Sequence, residues 1–217
     1  MASIAKRIRC DDLSLRAYNM LIGVILLYGF VMNYFMCIWF TDVFAEWDIR
    51  LVLIGYFVVA IAGILMSQIS DNPAISFLGY NLVVLPVGVI LSLALKEYET
   101  QAIINAIIVT AGVTFLMLFL STIKPDIFLS MGKALFVALT CGIVVELLCL
   151  IFGFIMPGIW DALFAILFAL YIGYDWAKAQ QEDYTVDNAV DACVGLYLDV
   201  INLLLRVLGS SSKSKKN

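Results

Sequence analysis

The 217-residue chain has no histidine and only four prolines, and charged side chains make up just 14% of it. Without histidine it lacks the commonest transition-metal ligand and the only side chain whose unperturbed titration lies near neutrality. Any response to pH must therefore come from carboxyl groups in unusual surroundings. The five cysteines (Cys10, Cys37, Cys141, Cys149 and Cys193) form no CxxC pair and lie mostly inside apolar runs. That spacing fits neither a zinc site nor a disulfide framework and reads as buried, inert thiols. There is no nucleophile elbow, no phosphate-binding loop and no basic face interleaved with aromatics, so neither an enzyme nor a nucleic-acid binder is supported and no cofactor is expected. The short basic start, Met1 to Arg16, has no small-residue cleavage pattern, so no removable signal peptide is expected.

What the chain does have is apolar length. Hydrophobic residues make up 64% of it, against about 45–50% apolar and about 25% charged in a soluble domain. The fold class is an all-α polytopic membrane protein. At about 20 residues per span there is room for six to eight spans. The apolar runs give seven: Tyr18 to Phe40, Leu51 to Ile69, Ala74 to Leu95, Ala102 to Ile123, Met131 to Met156, Ile159 to Ala177 and Val186 to Leu208. An acidic, aromatic loop with Asp42, Glu46, Trp47 and Asp48 follows the first. Ser70-Asp71-Asn72-Pro73, Lys124-Pro125-Asp126 and Pro157-Gly158 punctuate later ones, and Lys178 to Thr185 links the last two. Pro86 lies inside span three, where neighbouring helices can satisfy the freed carbonyl. The organisation read from this is a basic cytoplasmic lead over residues 1–17, one seven-helix domain over 18–208, and a disordered Ser/Lys-rich tail over 209–217. Trp160 and Trp176 bracket span six about 24 Å apart, a spacing that suits interfacial anchors.

With seven spans, Lys6, Arg7, Arg9, Arg16, Lys124, Lys133 and Lys178 fall on the N-terminal side, and Arg50, Lys96, Arg206, Lys213, Lys215 and Lys216 on the other. Half of the second group is tail and the first span usually dominates, so the N-terminus is expected in the cytoplasm. A six-span form with span seven re-entrant is the alternative topology.

Span seven carries the chemistry. Asn188, Asp191, Gly195, Asp199, Asn202 and Arg206 fall within roughly 80° of one another on a helical wheel, a polar stripe along an apolar helix. A charge facing lipid costs a few kcal/mol or more, so the stripe should face protein or water. The intramembrane carboxylates are Glu146, Asp161, Asp175, Asp191 and Asp199. The short link makes spans six and seven antiparallel neighbours, and modest tilt brings Asp175 and Asp199 to one depth. Two carboxyls sharing such a site are expected to hold a single proton near neutral pH. The pair is also a hard oxygen site that suits calcium or protons rather than a softer metal. Bland roles stand beside these. Asp175 next to Trp176 also fits a solvated interface. Asp191 and Asp187 fit a helix start, and Asp161 a cap. Glu146, midway along span five, is harder to dismiss as bland, and facing an aqueous cavity is as open to it as not. Arg206 fits either a counter-ion to Asp199 or, preferably, a side chain snorkelling to the far interface. Asn202 fits a plain hydrogen bond to another helix.

At Tyr171-Ile172-Gly173-Tyr174-Asp175 and at Leu196-Tyr197-Leu198-Asp199-Val200-Ile201-Asn202-Leu203-Leu204-Leu205-Arg206 the sequence resembles the Bax inhibitor-1 family, the transmembrane Bax-inhibitor-motif proteins, and most closely its bacterial members. The two motifs cover about a fifth of the chain; the earlier spans match in hydropathy and spacing. The resemblance implies seven helices with the C-terminal one central and surrounded by the other six. It also implies a pH-sensitive calcium leak governed by an aspartate pair that maps onto Asp175 and Asp199, and residence in a bacterial inner membrane. Family members often carry an arginine near the end of span two. Here Leu65-Met66-Ser67-Gln68-Ile69-Ser70-Asp71 has no basic residue, and Trp176-Ala177 follows Asp175 where a more polar continuation is usual.

Three functions follow. In the first, calcium leaks passively and the aspartate pair gates it by holding or losing a proton. In the second, the same carboxylates exchange protons for calcium or another cation, although no inverted repeat is visible. In the third, the chain regulates a membrane partner such as a protease, and the carboxylates fix helix packing. Two intramembrane aspartates would also suit an aspartyl intramembrane protease, but the glycine-flanked motifs of that class are missing. The expected surroundings are the lipid bilayer, calcium and protons.

Overall fold

The apolar runs fold as helices whose ends are set by polar or conformational stops. Among the described residues these are α1 (Leu15–Trp39), α2 (Thr41–Phe44), α3 (Ile49–Ile69), α4 (Pro73–Leu95), α5 (Thr100–Ile123), α6 (Pro125–Ser130), α7 (Gly132–Phe152), α8 (Gly158–Ala179) and α9 (Val186–Ser214). All but the short α2 and α6 are long and apolar enough to cross a membrane. The structure is a computed structural model that describes residues 13–44, 47, 49–154 and 158–214. The basic lead up to residue 12, Glu46 and Asp48 in the first loop, Pro157, and residues 215–217 of the expected tail lie outside the described residues.

Several boundaries shift for visible reasons. The Ser14 hydroxyl accepts from the Ala17 amide at 3.2 Å, so α1 starts at Leu15, inside the stretch read as lead. Asn72 caps α4 the same way, accepting from Ala74 at 3.0 Å, with Pro73 in the first turn. Gly153 takes a left-handed φ of 71° and ends α7 before the expected Met156. The short α6 begins on Pro125 and lays Phe128 against Gly173 of α8. Where a disordered tail was expected from residue 209, α9 instead stays helical to Ser214. Leu208 is fully buried and Gly209 lies against Asp161, and a helix anchored there extends without a new nucleus.

The seven spans alternate in direction. The start of α1, the α3–α4 turn, α6 and the α8–α9 link gather at one end, here the link end. There the Leu13 amide donates to the Tyr184 carbonyl and the Tyr18 hydroxyl to the Ala179 carbonyl at 3.2 Å. Helices α8 and α9 form one tight hairpin, α3 and α4 another, and α1 packs on α4 and α9. Helix α5 packs on α8 and α9, and α7 packs on α8 and α6. Of the expected ring of six helices around α9, α8, α1, α4, α5 and α3 pack on it directly, while α7 packs on α8 and α6 and meets α9 through an ion pair described below. The perimeter is apolar, with Ile69 80% and Phe115 74% exposed, a surface that only lipid covers without cost.

Candidate functional site

The α8–α9 hairpin places the two expected aspartates together. Gly195 of α9 faces Asp175 of α8. A Cβ on Gly195 would collide with Asp175 Oδ2 and lie 3.2 Å from its Cγ. A bare glycine on the polar stripe is what lets this carboxyl lie flat against α9. One turn further on, Asp199 is 7% exposed and its carboxyl lies within interaction distance of that of Asp175. Two carboxylates cannot donate to each other, so a hydrogen bond between them needs a proton on one. Asp199 Oδ2 receives no bond from any conventional donor. Tyr171 of α8 is within electrostatic reach of both.

Asp175 lies in the wall of a cavity of about 460 Å³ at the link end. Asp71, Glu182, Asp187 and Asp191 also line it, so five carboxylates face the cavity beside one ammonium, Lys178. Asp187 Oδ1 accepts from the Ser76 hydroxyl at 2.7 Å, while Asp191 Oδ1 is shut from solvent with no partner among the described residues. Asp187 and Asp191 therefore do more than start a helix. Gln68, Ser70 and Asp71 line the cavity at the end of α3, and the positive charge comes from Lys178, one turn after Asp175. The Lys178 charge acts on both Asp175 and Asp191, and its Nζ is 3.9 Å from Glu182.

The other expected polar residues sit at the opposite end. Arg206 neither snorkels nor reaches Asp199. Its guanidinium is 2.6 Å from Glu146 of α7 and 3.3 Å from Asp161 of α8, and it lies over the Phe164 ring at 4.5 Å. Two acids at reach in an apolar setting hold it more strongly than a distant interface would. Glu146 thus faces Arg206 and the Trp160 indole, which donates to it at 3.2 Å, rather than an aqueous cavity. Asp161 is an ion-pair partner, not only a cap. Asn202 donates to Leu198 O of its own helix at 2.8 Å, not to another helix. Trp160 and Trp176 are each tied to a neighbouring helix, Trp176 donating to the exposed Thr122 Oγ1 of α5 at 2.9 Å.

Among the described residues no group of three or more cysteine, aspartate or glutamate side chains is placed to hold a metal ion. Sequence reasoning missed Lys178, whose only signal was its position one turn after Asp175. It also gave Gly195 no role, although a glycine amid the acids of the stripe was a hint.

Residues 11–214 match the sequence profile of the family described as inhibitor of apoptosis-promoting Bax1. Two Helicobacter pylori strains have a protein, named only as uncharacterized, that is 41% identical over 80 residues, which is 36% of this chain and 34% of the relative. An uncharacterized protein of Campylobacter jejuni is 36% identical over 100 residues, 46% of this chain and 42% of that one. The matched stretches thus span less than half the length of these curated relatives.

Proposed function

The chain belongs to the family of inhibitors of apoptosis-promoting Bax1, and on that premise we propose that it is a pH-sensitive leak through which calcium passes passively, gated by the proton on the Asp175–Asp199 pair. The observation that carries the reading is the contact of the buried Asp199 carboxyl with the half-buried Asp175 at the edge of an acidic cavity. With one shared proton, the pair bridges α8 and α9 and closes the hairpin. When the proton leaves, two negative charges at contact distance repel and together attract a cation. Raising the pH therefore favours the open or ion-loaded state. The neighbours that bias this step are Tyr171, Lys178 and Glu182 of α8 and its link, and Asp187 and Asp191 of α9 with Ser76 of α4. The acids concentrate cations at the mouth, and Lys178 partly offsets them. The family resemblance supports a bacterial inner membrane, and the distribution of basic residues supports a link end in the cytoplasm.

The test is calcium uptake into proteoliposomes loaded with a fluorescent indicator, from about pH 6 to about pH 8, the range that brackets neutrality. Wild-type uptake is expected to rise with pH and to scale linearly with the calcium gradient. Asp175→Asn and Asp199→Asn are expected to flatten the pH profile. Saturable uptake driven by a proton gradient would instead make the protein an exchanger. Folded protein that passes no calcium at any pH would sink the leak and turn attention to a protein partner.

A further inference from the structure

Helix α5 buries one face, Ala106, Thr110, Met117 and Ser121, and this helix packs on α8 and α9. Hydroxyls inside a membrane are ordinarily silenced by a bond to the carbonyl four residues back. Thr122 and Thr140, on exposed faces, do this at 2.8 Å to Leu118 and Phe136, and Ser121 donates to the Gly173 carbonyl of α8. Thr110 and Thr114 do neither. Both hydroxyl oxygens are shut from the surface and bond to nothing among the described residues, and Thr110 is only 4% exposed. Leaving a buried hydroxyl unmatched is unfavourable, and here two lie one turn apart on the same face.

Their depth is fixed by contacts elsewhere. Helices α8 and α9 run antiparallel in a register set at Asp175 with Gly195 and at Asp161 with Gly209. Helices α5 and α8 are aligned by Ser121 with Gly173 and by Thr122 with Trp176. Two turns back from Ser121, Thr114 reaches the level of Ile166 and Leu204. Thr110 lies about 6 Å further, level with the Arg206–Asp161 pair. The two hydroxyls thus occupy the stretch between Asp199 and the Arg206 cluster.

We infer that a cation leaving the aspartate pair crosses the rest of the membrane along the seam between α5 and the α8–α9 hairpin, taking the Thr114 and Thr110 hydroxyls in turn as oxygen ligands. The inference rests on the leak reading and adds its route. A small hard cation stripped of part of its water needs oxygen donors, and neutral hydroxyls hold it weakly enough to let it go. Phe164 and Phe168 are buried at the same levels, so the seam conducts only after α5 or α8 shifts.

The experiment is calcium uptake by wild type, Thr110→Val, Thr114→Val, the double valine variant, the two serine variants and Thr140→Val, with thermal unfolding of each. Each valine variant is expected to lose about fivefold in flux, the factor for one hydrogen bond of ~1 kcal/mol. It should unfold no earlier than wild type, since it discards an unpaired hydroxyl. Serine variants and Thr140→Val should conduct as wild type. Wild-type flux in the double valine variant, or equal losses with serine and valine, overturns the route and leaves the leak intact. Absence of flux in wild type itself overturns both.

Discussion

Substituting Gly195→Ala tests the aspartate contact without touching either acid. The new methyl would occupy the position of Asp175 Oδ2, 3.2 Å from Cγ and 4.0 Å from Cβ, so only the carboxyl must give way and the helix backbones need not part. Asp175 then has to turn off the α9 surface, and Asp199 loses its partner. Overpacking costs about 1–3 kcal/mol, and a buried polar group left unpaired about 1–3 kcal/mol more. The gain from alanine over glycine inside a helix is about 1 kcal/mol, so the expected net loss is about 1–5 kcal/mol. The assay is a double-mutant cycle with Asp175→Ala, measured by thermal unfolding in nanodiscs. Removing the Asp175 carboxyl should make Gly195→Ala nearly harmless, with a coupling above about 1 kcal/mol. If Gly195→Ala costs the same in both backgrounds, the carboxyl is not what fills the space and the closed contact is misplaced.

Arg206→Ala leaves Glu146 and Asp161 facing each other without a counter-charge, and the expected loss is about 2–4 kcal/mol, below the fully buried limit because all three side chains keep some exposure; Arg206→Lys should recover only part, since it lacks the planar fork and the stacking on Phe164. Unchanged thermal unfolding in the alanine variant would show the cluster to be incidental. Lys178→Gln removes the ammonium from the cavity wall and is expected to speed calcium uptake at low ionic strength, with the difference fading as salt is raised. A difference that persists at high salt would rule out an electrostatic origin.

The seven spans were legible because about 20 apolar residues in a row have few other fates, and Asp175 with Asp199 was legible because a short link forces spans six and seven together. The fate of Arg206 was not. From its own helix, solvent at the far end and Asp199 two turns away were both open to it; the acids that hold it come from α7 and α8, whose lateral placement no periodicity encodes. Thr110 and Thr114 were invisible for a related reason. Threonine in an apolar helix reads as neutral until its neighbours show whether the hydroxyl is used. The helices α2 and α6 were hidden because hydropathy marks where a span ends, not what the chain does at the turn.

The ionic cluster at the far end also has an order in time. Glu146 and Asp161 leave the ribosome ahead of Arg206, which follows Asp161 by 45 residues. While α9 is unmade, the nascent protein holds two acids in the bilayer whose cation has not been synthesised, and burying them bare is costly. Helix α9 therefore completes the charge balance of the two before it, and insertion of α7 and α8 remains provisional until α9 is made. A chain truncated before Arg206 would carry an uncompensated acidic defect in the lipid, a built-in mark of incompleteness for any machinery that surveys the membrane.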